Sequence, residues 1–144
     1  MDVNVYGHTQ SEVDAAIREA FALRRRISEL EKNIEEEKKF IKEYEEFIQQ
    51  MNDAKGKVAE FISNAGEAHS LFISGGYNYG GSDPTNNALS KVSSTGAPNL
   101  ISNAITKAEL KKQEHEEKKD KYEKDKQDVE QKLNNLLSQY PEIS

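Results

Sequence analysis

The chain has no cysteine, which excludes a disulfide framework, a thiol nucleophile and a cysteine-ligated zinc site. It also has no tryptophan. Only three of the 144 residues are prolines, so few positions interrupt a helix. No apolar run approaches the roughly 18 residues of a membrane-spanning helix. The first eight residues lack a basic segment followed by an apolar core, so no cleaved signal peptide is visible. We therefore expect a protein without a membrane span, either cytoplasmic or exported without a cleaved leader.

Charge is the most abundant property that the sequence does have. Charged residues make up 32% of the chain, hydrophobic residues make up 35%, and the net charge is -6. This composition is too polar for a domain of several packed layers, but the apolar residues are too regularly spaced for a disordered chain. The length fits one domain. An all-α fold built from long helices reconciles these observations.

One apolar seam organises the first half of the chain. From Val13 to Phe72 its positions recur at alternating steps of three and four residues, as in a coiled coil. One set of positions is Val13, Ala20, Ile27, Ile34, Ile41, Ile48, Lys55, Ile62 and His69. The interleaved set is Ala16, Leu23, Leu30, Glu37, Tyr44, Met51, Val58, Ala65 and Phe72. Because only Glu37, Lys55 and His69 break the repeat, the pattern predicts one long helix packed against another.

The start of this first helix carries a capping signal. Thr9 is followed three residues later by Glu12, a capping box in which each side chain satisfies a terminal backbone N–H group. Before it, the alternation of Val3 and Val5 is typical of a short extended arm. The spacing predicts a helix over residues 9–74.

A glycine-rich connection and a second long helix follow. Residues 75–97 contain two Gly-Gly pairs, and a short helix is expected there from Pro84 to Ser94. The second long helix is predicted over residues 98–140, ended by Pro141. Its seam consists of Ile101, Ile105, Ala108, Lys112, His115, Lys119, Tyr122, Lys126, Val129, Leu133, Leu136 and Tyr140. The predicted architecture is one domain, a long antiparallel helical hairpin over residues 1–144.

The lengths of the two helices predict how they pair. If the chain reverses in residues 75–97, Ile101 lies opposite residues 62–72, and residues 133–140 lie opposite residues 34–41. Residues 13–27 then project beyond the second helix. Because their apolar side chains spread around most of the circumference, we expect another protein or a second copy to cover this overhang. The predicted partner-binding residues are Ile17, Ala20, Phe21, Leu23, Arg24 and Ile27.

Few residues suggest site chemistry. The three histidines, His8, His69 and His115, are far apart in sequence and lack the spacing of metal ligands, so we predict no metal site. No catalytic constellation or cofactor motif is present, and a two-helix rod offers no enclosed cavity, so we expect a protein that is not an enzyme.

Glu37, a carboxylate in the seam, has two open interpretations. In the first, it meets a lysine such as Lys112, Lys119 or Lys126 and sets the register of the helices; in the second, it faces water.

All four arginines of the chain lie between Arg18 and Arg26. An arginine cluster contacts phosphate groups or an acidic protein surface. Acidic residues follow directly and the chain is negative overall, so a solvated patch or one that contacts a protein partner is favoured over nucleic-acid binding.

The layout resembles that of WxG-type helical-hairpin proteins of type VII secretion, and more closely the small partner proteins that pair with LXG toxins. Where that family has Trp-x-Gly, this turn has Gly75-Gly76-Tyr77 and Tyr79-Gly80-Gly81. The resemblance implies a helical partner or targeting factor that binds the amino-terminal helices of a toxin. The rival hypothesis is a structural coiled coil of a phage or cell envelope that self-associates through the same seam.

Overall fold

A computed structural model describes residues 2–74 and 96–144. Helix α1 spans Gln10–Ser74, helix α2 spans Ala97–Gln139, and a short 3-10 helix, η1, follows at Pro141–Ile143. The two long helices pack against each other, which confirms the all-α helical hairpin. The short helix expected from Pro84 to Ser94 lies outside the described residues. In the part of the chain that the structure describes, no helix is long and apolar enough to cross a membrane.

The chain divides into two compact units. Unit 1 consists of Met1–Ile41 together with Glu114–Ser144, and unit 2 consists of Lys42–Gln113. Each unit therefore contains one part of α1 and one part of α2.

Helix α1 begins at the predicted capping box. The Thr9 hydroxyl accepts a hydrogen bond from the Glu12 backbone N–H at 3.2 Å, and the Glu12 carboxylate accepts one from the Thr9 N–H at 3.4 Å. Two N–H groups that have no partner within the helix are satisfied in this way.

The residues before α1 form a turn, and the predicted extended arm is wrong. The Asn4 side-chain oxygen accepts hydrogen bonds from the N–H groups of Tyr6 and His8, at 2.9 and 3.1 Å. Gly7 adopts a φ of 81°, a conformation that side chains with a Cβ rarely take. An Asn side chain that bonds the backbone just after it competes with extended structure, and this explains the turn.

The seam read from the sequence is the contact surface of both helices. Every seam position whose side chain is described is buried or half-buried, with the exception of Lys55. Leu30 is fully buried, and Ile34, Ile105 and Ala108 are also in the core. The seven-residue repeat therefore identified the buried stripes correctly.

The predicted position of the end of α2 is wrong. Ala16 and Ala20 form a buried cluster with Leu136, and Leu23, Leu133, Tyr140 and Ile143 pack against this cluster. The end of α2 therefore covers α1 about five turns closer to the amino terminus than the expected site at residues 34–41, and residues 13–27 do not form an overhang. Small alanine side chains leave room for Leu136, whereas isoleucines at 34 and 41 offer no such space.

Candidate functional site

A polar pair interrupts the apolar seam of unit 1. Glu37 is 8% exposed and is the buried charged residue of the described core. Its Oε2 atom lies 2.5 Å from Nδ1 of His115, and the imidazole stacks on the Phe40 ring with centroids 4.8 Å apart. Both residues occupy seam positions, so the helices bring them face to face.

Neither of the two interpretations of Glu37 describes its contacts in the structure. The carboxylate neither meets a lysine nor faces water, because His115 occupies the position opposite. Among the three lysines considered, Lys126 is 3.3 Å from Glu31, and Lys112, in unit 2, is 3.4 Å from Glu45. A buried carboxylate is costly unless it is paired, so the Glu37–His115 pair favours the register in which the two residues meet.

A second polar contact joins the two ends of the chain within unit 1. The carboxylate of Glu142 in η1 accepts a hydrogen bond from the Asn4 amide at 2.6 Å, and both of its oxygens lie 3.0 Å from Nδ1 of His8. The His8 ring packs on Tyr140 with centroids 4.3 Å apart. We call Asn4, His8, Tyr140 and Glu142 the terminal clasp.

The terminal clasp perturbs the carboxyl group of Glu142. Partial desolvation raises its pKa, but the hydrogen bonds from His8 and Asn4 and the charge of His8 outweigh this effect, so the pKa lies below the ordinary value of 4.5. The ionised carboxylate is therefore the form that the folded chain prefers.

The predicted partner-binding residues divide into two groups. Ala20 is 2% exposed and Leu23 packs on the same cluster, so α2 covers these two side chains. Ile27 is half-buried in the seam. These three residues serve the hairpin itself, and a partner cannot use Ala20 without displacing α2. The other three residues, Ile17, Phe21 and Arg24, are exposed.

The exposed group forms a face of α1 beside the seam, centred about 90–100° around the helix from it. Ile17 is 50% exposed and Phe21 is 69% exposed, and at one turn apart they are neighbours on the helix surface. Arg24 lies one further turn along, and Arg18 borders Phe21 on the other side. We call Ile17, Phe21, Arg18 and Arg24 the outer face of α1.

The charges around the outer face are partly committed to internal pairs. Arg25 and Arg26 lie 3.7 and 3.5 Å from the carboxylate of Glu29. Asp14, which borders the same face, accepts a hydrogen bond from the Gln10 side chain at 2.9 Å. Within the described part of the chain, Arg18 and Arg24 form no ion pair. The outer face therefore carries two positive charges, with the Asp14 carboxylate at its border one turn before Arg18.

Unit 2 also exposes large apolar side chains. Phe47 and Phe61 on α1 are 39% and 45% exposed, and Leu110 on α2 is 57% exposed. The two phenylalanines lie beside the seam, where the sequence predicts the broader apolar face of a helix in a bundle.

An open groove of about 550 Å³ runs along unit 1. Its lining is Glu31, Ile34, Glu35, Lys38, Glu123, Lys126, Gln127 and Glu130. Pockets for small ligands are mostly apolar and enclosed, whereas this groove is charged and open. Among the described residues, no group of three or more His, Asp or Glu side chains is arranged to hold a metal ion.

The sequence reasoning missed the Glu37–His115 pair and the terminal clasp. Part of a signal for the first was present, since Glu37 interrupts the seam of α1 and His115 lies in the seam of α2. Lysines flank His115 in the same seam, so the sequence did not single it out as the partner. The terminal clasp had no such signal, because Asn4 and Glu142 lie outside both repeats.

Comparisons with models of protein families, with curated proteins and with solved structures found no match.

Proposed function

We propose that this chain is a non-enzymatic interaction protein that binds another protein by helix packing through the outer face of α1. The observation that carries the proposal is the exposure of Ile17 and Phe21 beside a seam that the hairpin has already closed. Side chains of this size that are not needed for the fold are typical of binding surfaces.

The packing of α1 against α2 beneath the outer face favours binding. Ala16 and Ala20, about 100° around the helix on the same turns, are 3% and 2% exposed. Tight packing against Leu136 holds this part of α1 in place, so little conformational entropy is lost when a partner docks.

The resemblance in layout suggests which partner to try first. We infer a partner or targeting factor for an LXG toxin secreted by a type VII system, in which α1 packs against the toxin's amino-terminal helices. In this role the protein acts in the cytoplasm or is exported with the toxin. A hairpin with one free helical face has the form that such packing requires.

The test is co-expression with the amino-terminal helical region of an LXG toxin encoded beside this chain, followed by mass measurement in solution. We expect a one-to-one complex with the wild-type chain. Ile17→Asp with Phe21→Asp should abolish it, because two carboxylates replace the apolar contact, while circular dichroism remains helical.

The matched control is Ala15→Asn with Ala22→Asn, since a carboxylate at either position would lie one turn from Arg18 and pair with it. Both alanines are exposed on the same turns of α1, about 130° around the helix from the midpoint of Ile17 and Phe21. This variant should bind like the wild type. Equal loss of binding in both double variants would contradict the proposal.

The rival function is self-association into a structural assembly. It predicts a stable homo-oligomer of the isolated chain, which Ile17→Asp with Phe21→Asp would dissociate. Exposed Phe47 and Phe61 supply an apolar surface for this alternative in unit 2. A monomeric chain that gains mass only with the toxin region favours the first function.

A further inference from the structure

From the charges bordering the outer face, we infer that its partner is an amphipathic helix whose apolar stripe is flanked by carboxylates. This inference rests on the proposed function and specifies the partner's chemistry.

The apolar centre has the dimensions of a helix contact. Ile17 and Phe21 are one turn apart on α1, which is the spacing at which two side chains form the ridge that packs into the groove of another helix. An extended peptide would require a free sheet edge or alternating pockets, and the surface of a helix supplies neither.

The cationic residues stand on both sides of that centre. By the 3.6-residue period, Arg24 borders Ile17 on the side towards the seam, and Arg18 and Arg25 border Phe21 on the far side. Arg25 already lies near Glu29. Arg18 and Arg24 have no acidic partner among the described residues, so a docking helix can supply one on each side.

The residue type points to carboxylate as the complementary group. Guanidinium groups bind carboxylates with two parallel hydrogen bonds, and they lose less hydration than ammonium groups when an interface covers them. The chain's four arginines all lie between positions 18 and 26, whereas its many lysines lie elsewhere. This placement concentrates the better interface cation around the exposed apolar pair.

The experiment uses the full chain and three synthetic helical peptides with the same leucine and alanine stripe. The flanking positions are glutamate in the first peptide, glutamine in the second and lysine in the third. We expect the glutamate peptide to bind about tenfold more tightly than the glutamine peptide, a difference of about 1.4 kcal/mol that two rim ion pairs together can supply. The lysine peptide should bind most weakly.

Two variants assign the effect to the outer face. Arg18→Gln with Arg24→Gln should remove the preference for glutamate while binding of the glutamine peptide persists. Ile17→Asp with Phe21→Asp should abolish binding of all three peptides, and Ala15→Asn with Ala22→Asn should leave the order unchanged. The glutamate preference should also shrink as salt screens the rim charges.

Specific outcomes overturn the inference. Equal binding of the three peptides, lost on substitution of Ile17 and Phe21, leaves the proposed function standing but removes the acidic partner. No binding of any peptide at concentrations up to about 1 mM, together with a toxin complex that tolerates Ile17→Asp with Phe21→Asp, refutes both. Binding to mixed phosphatidylcholine and phosphatidylserine vesicles, with no binding of the peptides, would assign the outer face to a membrane surface and overturn the inference.

Discussion

At the scale of single residues, the hairpin depends on how it accommodates polar groups in its seam. Glu37 and His115 are both largely covered, and each occupies a position that the repeat would fill with an apolar side chain. Pairing removes most of the free-energy cost of burying the two side chains. The two side chains meet in only one alignment of the helices. The pair therefore contributes more to specificity of packing than to overall stability.

A double-mutant cycle tests this role. His115→Leu leaves the buried Glu37 carboxylate without this partner and should lower the free energy of unfolding by about 1–3 kcal/mol. Glu37→Leu with His115→Leu should recover most of the loss, because no polar group then remains unpaired. Urea titration followed by circular dichroism measures both values.

The control for this cycle is the exposed pair formed by Glu35 and Lys38, which are 3.2 Å apart. Lys38→Gln should change the free energy of unfolding by less than about 1 kcal/mol, as is usual for surface ion pairs. If the double variant at 37 and 115 were less stable than either single variant, the buried pair would be a net source of stability and the specificity role would be wrong.

At the scale of elements, the contact between α1 and α2 in unit 1 depends on a match between small and large side chains. Leu136 is 7% exposed and lies against Ala16 and Ala20. Two alanines one turn apart let the helices approach closely, and Leu136 then fills the space between them. This match accounts for the position of the end of α2.

Leu136→Ala should therefore lower the free energy of unfolding by about 2–5 kcal/mol, because it leaves a cavity that the alanines cannot fill. Chemical denaturation measures the loss, and hydrogen exchange should show reduced protection of backbone amides around Ala16 and Ala20. The control is Leu110→Ala: this leucine is 57% exposed, so its loss should cost no more than about 0.5 kcal/mol. Equal effects of the two substitutions would contradict the pairing.

The same contact revises the expectation for the predicted overhang. Leu23 packs on the Ala16–Ala20–Leu136 cluster, so a charge at Leu23 disrupts the hairpin as well as any partner contact. Substitutions that test binding without disturbing the fold belong on Ile17 and Phe21, which the hairpin leaves exposed.

At the scale of the whole molecule, the terminal clasp joins the two ends of the chain. The turn before α1 supplies Asn4 and His8, and η1 after α2 supplies Glu142. Chain ends fray unless they are tied down, and these contacts tie both ends to each other beside the buried alanine cluster.

The clasp should make stability depend on pH. The pKa of Glu142 is lower in the folded chain than its ordinary value of 4.5, so the folded state favours the ionised group. This contribution is fully present above about pH 4.5 and disappears as the pH falls through the lower folded value. Glu142→Gln should therefore reduce the thermal midpoint at pH 7, and the difference from wild type should narrow at pH 3.

Thermal unfolding by circular dichroism at the two pH values checks this, with Glu36→Gln, an exposed position on α1, as the control. A difference between wild type and Glu142→Gln that is the same at pH 3 and pH 7 would show that ionisation of Glu142 does not stabilise the clasp.

The two long helices and the apolar stripes that they bury could be predicted from the amino-acid sequence alone. Periodicity and capping are local properties: the seam from Val13 onward and the capping box at Thr9 depend on residues a few positions apart, and the structure confirms both. Ile17, Phe21 and Arg24 are exposed, and their role in partner binding stays a prediction. Ala20 and Leu23 could not be separated from them without knowing what α2 covers.

The register in which the two apolar stripes align follows from contacts that only the three-dimensional structure reveals. Two long heptad seams can slide past each other by whole repeats and still bury similar apolar area, so hydrophobicity alone does not select a register. The selection comes from contacts between residues far apart in the chain: Glu37 with His115, Leu136 with Ala16 and Ala20, and Glu142 with Asn4 and His8. These contacts cover the seam side of residues 13–27 and leave the outer face of α1 exposed.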